Sequence, residues 1–259
     1  MPRPEPGSRQ RRGYTIAELA VSLTIFGAIL VMTAFILSQT KSAWVVNDSE
    51  EAAAVRLRTA LAPLQRDFEL ASKENVAVTT SPASLGGGGK DSDAIWFLSP
   101  IDPATEQMVR NPAGEPVWQR NILYYLSVPL NHTSCPGTLG PDGYDEGCPH
   151  KVLVRKVISN GGPDGQVLLD DVSAYLDRPS SDSVAPQGGG VRLESSAILT
   201  TDLLWLRAKP LAVGGQGAYS IDARAVALDS AQRIARAGVQ RYAAGPQTVY
   251  SQLSLRPRN

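Results

Sequence analysis

Histidine is nearly absent from this 259-residue chain, with His132 and His150 the only two. Two imidazoles leave little for acid–base chemistry or metal ligation, and their spacing suggests no Ser/His/Asp or Cys/His arrangement. The chain therefore does not read as an enzyme, and no cofactor is implied. Cysteine is as scarce, limited to Cys135 and Cys148. Neither sign of charge is in excess, with Lys+Arg 25 against Asp+Glu 25, so a large basic surface for nucleic acid is not expected. A phosphate-binding loop is missing too. Asp91 follows Gly89-Lys90 where Ser or Thr is needed, and Ser84 stands where the first glycine belongs. Gly86-Gly87-Gly88-Gly89 reads instead as a flexible linker in a break over residues 81–93. Finally, no charge falls between Leu19 and Leu37, and no proline between Tyr14 and Leu37.

That last absence marks a helix. The uncharged run spans roughly 28 Å at 1.5 Å per residue, close to the ~30 Å hydrocarbon core of a bilayer. It is longer than the apolar core of a secretory signal peptide, about 7–15 residues. Ahead of it stand Arg3, Arg9, Arg11 and Arg12 against Glu5 alone, which places the N-terminus in the cytoplasm and the rest of the chain outside. Loss of this leader would leave a formal charge of about −3 before the new amine is counted. Glu18 is the anomaly. An ionised carboxylate in a spanning helix costs about 2.5–3.5 kcal/mol on insertion scales, so it calls for a partner.

The segment Arg11-Arg12-Gly13-Tyr14-Thr15-Ile16-Ala17-Glu18, with the apolar run behind it, resembles the leader of type IV prepilins, shared by type IV pilins and type II secretion pseudopilins. The resemblance implies cleavage after Gly13 by a prepilin peptidase and N-methylation of Tyr14, which stands where phenylalanine is common. It also implies an assembly role for Glu18, the fifth residue after the cut, as partner of a neighbouring subunit's new amine. A plain single-pass anchor would fit the length of the run but not Glu18.

An exported domain with two cysteines favours a Cys135–Cys148 disulfide, worth about 3 kcal/mol in the chain-entropy model. Zinc is the alternative, since His132 and His150 flank the pair, although the spacing matches no finger pattern. Asp142, Asp145 and Glu146 are weak calcium candidates. They lack the alternation and terminal glutamate of a known calcium loop, and a solvated acidic turn explains them as well. Asn131-His132-Thr133 fits a glycosylation acceptor.

Beyond the membrane, Leu57, Leu61, Leu64, Phe68 and Ala71 recur at helical steps, with Arg56, Arg58, Arg66, Asp67 and Glu69 expected on the other faces. One long helix is expected from about Thr15 to Ala71, interrupted and kinked at Pro63. Strands are expected over residues 94–98, 121–128, 151–158, 203–207 and 223–228, which are rich in β-branched and aromatic residues. The fold class is α+β: a long N-terminal helix, its first half membrane-spanning, packed on an antiparallel β-sheet head. The organisation is a leader (1–13), an assembly helix (14–37), the outer half of the helix (38–72) and a β-rich head with long loops (73–259). The segment from Leu57 to Phe68 resembles the long helix of J-type minor pseudopilins and W-type minor pilins. Asp93 to Phe97 is similar to their first strand, Trp118 to Leu126 to their second, and Tyr250 to Asn259 to their last, with Pro257 and Arg258 intruding.

Together these imply a minor pilin or minor pseudopilin, held at low copy near a filament tip. It would help to start assembly of a type IV pilus or type II secretion pseudopilus from the inner membrane. Its partners would be the peptidase, other pilins or pseudopilins, the assembly platform and, before assembly, lipid. The alternative is a tip-located binding subunit, an adhesin or DNA receptor, or one that meets an exported protein. For DNA, Arg224, Arg233, Arg236 and Arg241 lie late in the chain with Tyr219 and Tyr242 nearby, diluted by Asp222 and Asp229.

Overall fold

A computed structural model describes residues 15–81, 92–102, 105–128, 151–160, 166–177, 192–211, 217–227 and 248–257. It has one long helix, α1 (Ile16–Glu69), and seven strands. They are β1 (Val76–Thr80), β2 (Asp93–Ser99), β3 (Arg120–Ser127), β4 (Lys151–Ser159), β5 (Arg192–Leu211), β6 (Ala218–Val226) and β7 (Thr248–Leu255). The expected α+β class is what the chain adopts. By contacts the chain forms two units, Met1–Val45 and Val46–Asn259.

In the first unit, α1 is long and apolar enough to cross a membrane. Its apolar side chains, among them Phe26, Val31 and Phe35, are exposed all round. Two threonine hydroxyls within it are satisfied by the helix itself: Thr24 Oγ1 donates to the Ala20 carbonyl at 2.9 Å and Thr33 Oγ1 to the Ile29 carbonyl at 2.8 Å. An unpaired hydroxyl in hydrocarbon would cost several kcal/mol, so these back-bonds make the sequence compatible with lipid.

In the second unit the strands form a single antiparallel sheet in sequential order from β1 to β7. The expected helical stripe is the one buried: Leu57, Leu61, Leu64 and Phe68 face the sheet, and Ala71 follows just past the helix end. They meet Ile95 and Phe97 of β2, Ile122, Tyr124 and Leu126 of β3, and Leu153 and Val157 of β4. Phe68 lies edge-on to both Phe97 and Tyr219, with ring centroids 5.2 and 5.6 Å away. Pro63 does not end the helix, which runs through it. Its ring removes only the amide that would bond the Thr59 carbonyl.

The other face of β2–β4 is also covered, by residues 166–177, which include a short 3₁₀ turn (Ser173–Tyr175). Trp96, Leu123, Tyr125, Val152 and Val154 pack beneath this strap. Trp96 Nε1 donates to the Leu169 carbonyl at 2.9 Å, and Tyr125 Oη to the Asp177 carbonyl at 2.8 Å. The buried Lys156 amine donates to the Tyr175 carbonyl at 2.7 Å. Burial on both faces is why these strands read as continuous apolar runs rather than alternating ones.

Two elements differ from expectation. Val76–Thr80 precedes β2 and pairs with it, so the Asp93 segment is the second strand and not the first. The strand expected at residues 203–207 is the middle of a 20-residue strand, β5. Its first half pairs with β4 and its second with β6, with register shifts where it changes partner. At that corner Asp202 adopts φ 62°, the left-handed region, and its carboxylate pairs with Arg56 of α1 at 3.4 Å. Such a φ is uncommon outside glycine, asparagine and aspartate, so an aspartate suits the position.

Leu64→Ala should cost the head about 2–5 kcal/mol through lost burial and a residual cavity. Val55→Ala, at an exposed position on the same helix, should change stability by no more than about 0.5 kcal/mol. Denaturant unfolding of the full chain in micelles, followed by tryptophan fluorescence, compares the two.

Candidate functional site

The first site is the start of α1. Gly13 and Tyr14, the residues of the expected cut, lie outside the described residues; Thr15 and Glu18 lie within them. The Thr15 amide donates to Glu18 Oε2 at 2.9 Å, the Thr15 hydroxyl to the same oxygen at 3.1 Å, and the Glu18 amide to Thr15 Oγ1 at 3.3 Å. This is a reciprocal capping box, Ser/Thr-x-x-Glu, which satisfies two amides that a helix N-terminus otherwise leaves bare. Such caps are worth about 0.5–2 kcal/mol, and the carboxylate also sits at the favourable end of the helix dipole. The signal was in the sequence as Thr15-Ile16-Ala17-Glu18. Glu18 thus has a local structural role in addition to the assembly role implied by the resemblance.

The second site is a buried polar cluster at the other end of α1. Asp67 was expected on a solvent face, yet it is only 8% exposed. Its Oδ2 accepts Tyr124 Oη at 2.8 Å and Arg155 Nε at 2.7 Å, and Arg155 Nε lies 3.2 Å from Tyr124 Oη. Tyr124 and Arg155 project from neighbouring strands at paired positions, which brings both to the carboxylate. Burial, and then the Asp67 charge, push the Tyr124 phenol well above its ordinary range. Burial works to lower the Arg155 pKa, but Asp67 and then Tyr124 outweigh it, and the net shift is upward. Sequence spacing gave no sign of this triad, because its members are separated by 57 and 88 residues.

The third arrangement lies on the face of β5–β7 turned away from α1. Cross-strand register puts Trp205, Arg224 and Tyr250 in one row, with Arg207, Asp222 and Gln252 in the next. The Trp205 and Tyr250 centroids are 6.0 Å apart. Their strands flank β6 and so stand roughly 9.6 Å apart, which means that the two rings lean inward over Arg224. The Arg224 guanidinium lies 5.3 Å and that of Arg207 4.9 Å from the Trp205 ring. The expected grouping of Arg224 with Tyr219 is not formed. Tyr219 is odd in the β6 alternation and packs in the helix-side core, whereas Arg224 is even and faces outward. Its aromatic neighbours are Trp205 and Tyr250, which only the strand register reveals.

Arg233, Arg236, Arg241, Tyr242 and Asp229 lie outside the described residues, as do Cys135, Cys148, His132, His150, Asp142, Asp145 and Glu146. Among the described residues no group of three or more His, Cys, Asp or Glu side chains is placed to hold a metal. The chain matches no family model, no curated protein and no solved structure.

The upward shift of Tyr124 carries a sign. Tyr125 is pushed up as well, by burial and then by the Asp177 charge. The folded state holds these phenol protons more tightly than the unfolded chain, so their stabilisation is complete below the unfolded tyrosine pKa of about 10. It is lost as pH rises through the folded values. The thermal midpoint of the head should therefore fall between pH 9.5 and about 11.5, and Tyr124→Phe should flatten that fall. At pH 7 the same variant should cost about 0.5–1.5 kcal/mol, one hydrogen bond to Asp67.

Proposed function

We propose that this chain is a minor pilin or minor pseudopilin, an assembly subunit of a type IV pilus or type II secretion pseudopilus. One observation supports the reading above the others. A single continuous helix carries a carboxylate in its first turn, then exposed apolar side chains, and then the stripe that the head buries. Side chains apolar all round need lipid or other helices around them. A filament core of like helices supplies the second environment after the bilayer supplies the first. In this reading the leader is removed after Gly13, Tyr14 is methylated, and Glu18 pairs with the new amine of an adjacent subunit. The subunit is anchored in the inner membrane with its head outside. It meets the peptidase, the assembly platform and other pilins, and it works as a structural partner rather than a catalyst.

The capping box makes a sharp test available. Glu18→Gln keeps a capping side chain but removes the charge, whereas Glu18→Ala removes both. Under the assembly reading both variants should lose at least tenfold in recovery from sheared filaments. Equal recovery of Glu18→Gln and wild type would show that only the cap matters and would remove the charge-pairing role. Intact mass and N-terminal sequencing of membrane-extracted protein test the cut itself. A chain starting at methylated Tyr14, dependent on the peptidase, is expected; an uncut chain overturns the reading.

A second reading, a tip subunit that binds single-stranded DNA, draws on the Trp205–Arg224–Tyr250 row. Aromatic rings flanked by arginines suit base stacking and phosphate contact. Salt-dependent DNA binding weakened by Trp205→Ala and Arg224→Gln would favour it, and no binding at low salt would end it.

A further inference from the structure

A cavity of about 500 Å³ opens where α1 ends, between its last turn and the ends of β2 to β5. That volume falls within the range of small-molecule sites, about 300–1,000 Å³. Its wall has an apolar part, built from Leu70, Ile101, Ile122 and Val157, and a guanidinium part, built from Arg66, Arg120 and Arg155. The question is whether those cations are used up by the structure.

They are not. Asp67 takes Arg155 through Nε, and Glu194 takes Arg120 through Nε; Arg120 Nη1 also donates to the Gln119 carbonyl. Among the described residues, both Nη nitrogens of Arg155 and Nη2 of Arg120 donate no hydrogen bond. Among the described residues Arg66 makes only an ion pair to Asp67 Oδ1 at 3.6 Å, too long for a hydrogen bond, and its side chain is 75% exposed. The buried Asp67 and the half-buried Glu194 thus hold the guanidinium stems in place and leave fork ends over. A fork end is the geometry that receives a carboxylate through two parallel N–H···O bonds. One acid stands at the rim: Glu106, exposed and held at φ 56°. A non-glycine residue at such a φ carries a backbone cost, so its place is set by the surrounding turn. Its charge repels a second negative group on a ligand and so disfavours polyanions.

We propose that this cavity binds a small amphipathic monocarboxylate, with its carboxylate on the free guanidinium ends and its apolar body on Leu70, Ile101, Ile122 and Val157. The inference is independent of whether the chain is cut after Gly13. Charge pairing orients the ligand, and burial of its hydrocarbon supplies affinity.

The probe is hexanoate, titrated into the full chain in nanodiscs by calorimetry and saturation-transfer NMR, with empty nanodiscs as the blank. Hexanol and sulfate separate the two halves of the recognition. Saturable hexanoate binding is expected, with hexanol and sulfate each at least tenfold weaker. Arg66→Gln, at an exposed position that the fold does not need, should weaken hexanoate at least fivefold. Arg155→Lys keeps a cation beside Asp67 but removes the fork, and should weaken it at least tenfold with the thermal midpoint little changed. Binding no greater than in empty nanodiscs would overturn the proposal. So would hexanol or sulfate binding as tightly as hexanoate, or hexanoate binding unchanged in both variants.

Discussion

The head depends on one stripe of α1 being the whole inner layer of the fold. Seven strands offer an apolar inner face, and among the described residues a single helix covers it. Leu57, Leu61, Leu64 and Phe68 must therefore fill a groove lined by β2 to β6, and each sits at or near zero exposure. The charged groups at the edge of this contact follow from the same constraint. Asp67 falls between Leu64 and Phe68 on the helix and cannot avoid the sheet, so the sheet supplies Tyr124 and Arg155 to meet it. Leaving that carboxylate unpaired would be far more costly than forming the cluster is favourable. Arg56 is placed similarly about three turns earlier, and it meets Asp202 where β5 turns its corner. Polar partners thus flank the stripe at both of its ends.

How much of this was legible in the sequence varied with whether the signal was local. The helical stripe was legible because period 3.6 with uniformly apolar residues is a strong pattern over five positions. The strands β2, β3 and β4 were legible because they are buried on both sides and rich in Ile, Val, Leu and Tyr. β1 was not, because Val76-Ala-Val-Thr-Thr80 is a five-residue, partly exposed edge strand that resembles the tail of a helix followed by a linker. The first half of β5 was missed for a related reason. Residues 192–202 are mostly polar and exposed, and only pairing with β4 makes them a strand.

Sites followed the same rule. The Thr15–Glu18 box is local, a Thr-x-x-Glu pattern just ahead of an apolar run. The Asp67–Tyr124–Arg155 triad and the Trp205–Arg224–Tyr250 row are products of strand register, which one sequence does not encode in any short motif. Tyr219 shows the mechanism. It lies five residues from Arg224, close in sequence, but the odd separation on a strand sends the two side chains to opposite faces.

The double claim on Glu18 can be weighed by magnitude. As a cap, its carboxylate is worth about 1 kcal/mol, and the helix dipole adds about 0.3–1 kcal/mol. A glutamine in the same box would supply much of the first without any charge to desolvate. A carboxylate in a spanning segment costs about 2.5–3.5 kcal/mol at the helix centre and less near its end. Capping alone is therefore, at most, an even exchange for keeping an ionised group there, and asparagine or glutamine chemistry would be the cheaper solution. An amine brought within ion-pair distance changes that balance, since in a low-dielectric surround the attraction offsets part of the desolvation cost, and a carboxylate left without a partner there is the costlier state. The cap then has a further role under the assembly reading. It holds the carboxylate at the first turn, near the end of the helix, where the amine of a neighbouring chain has the shortest way to travel.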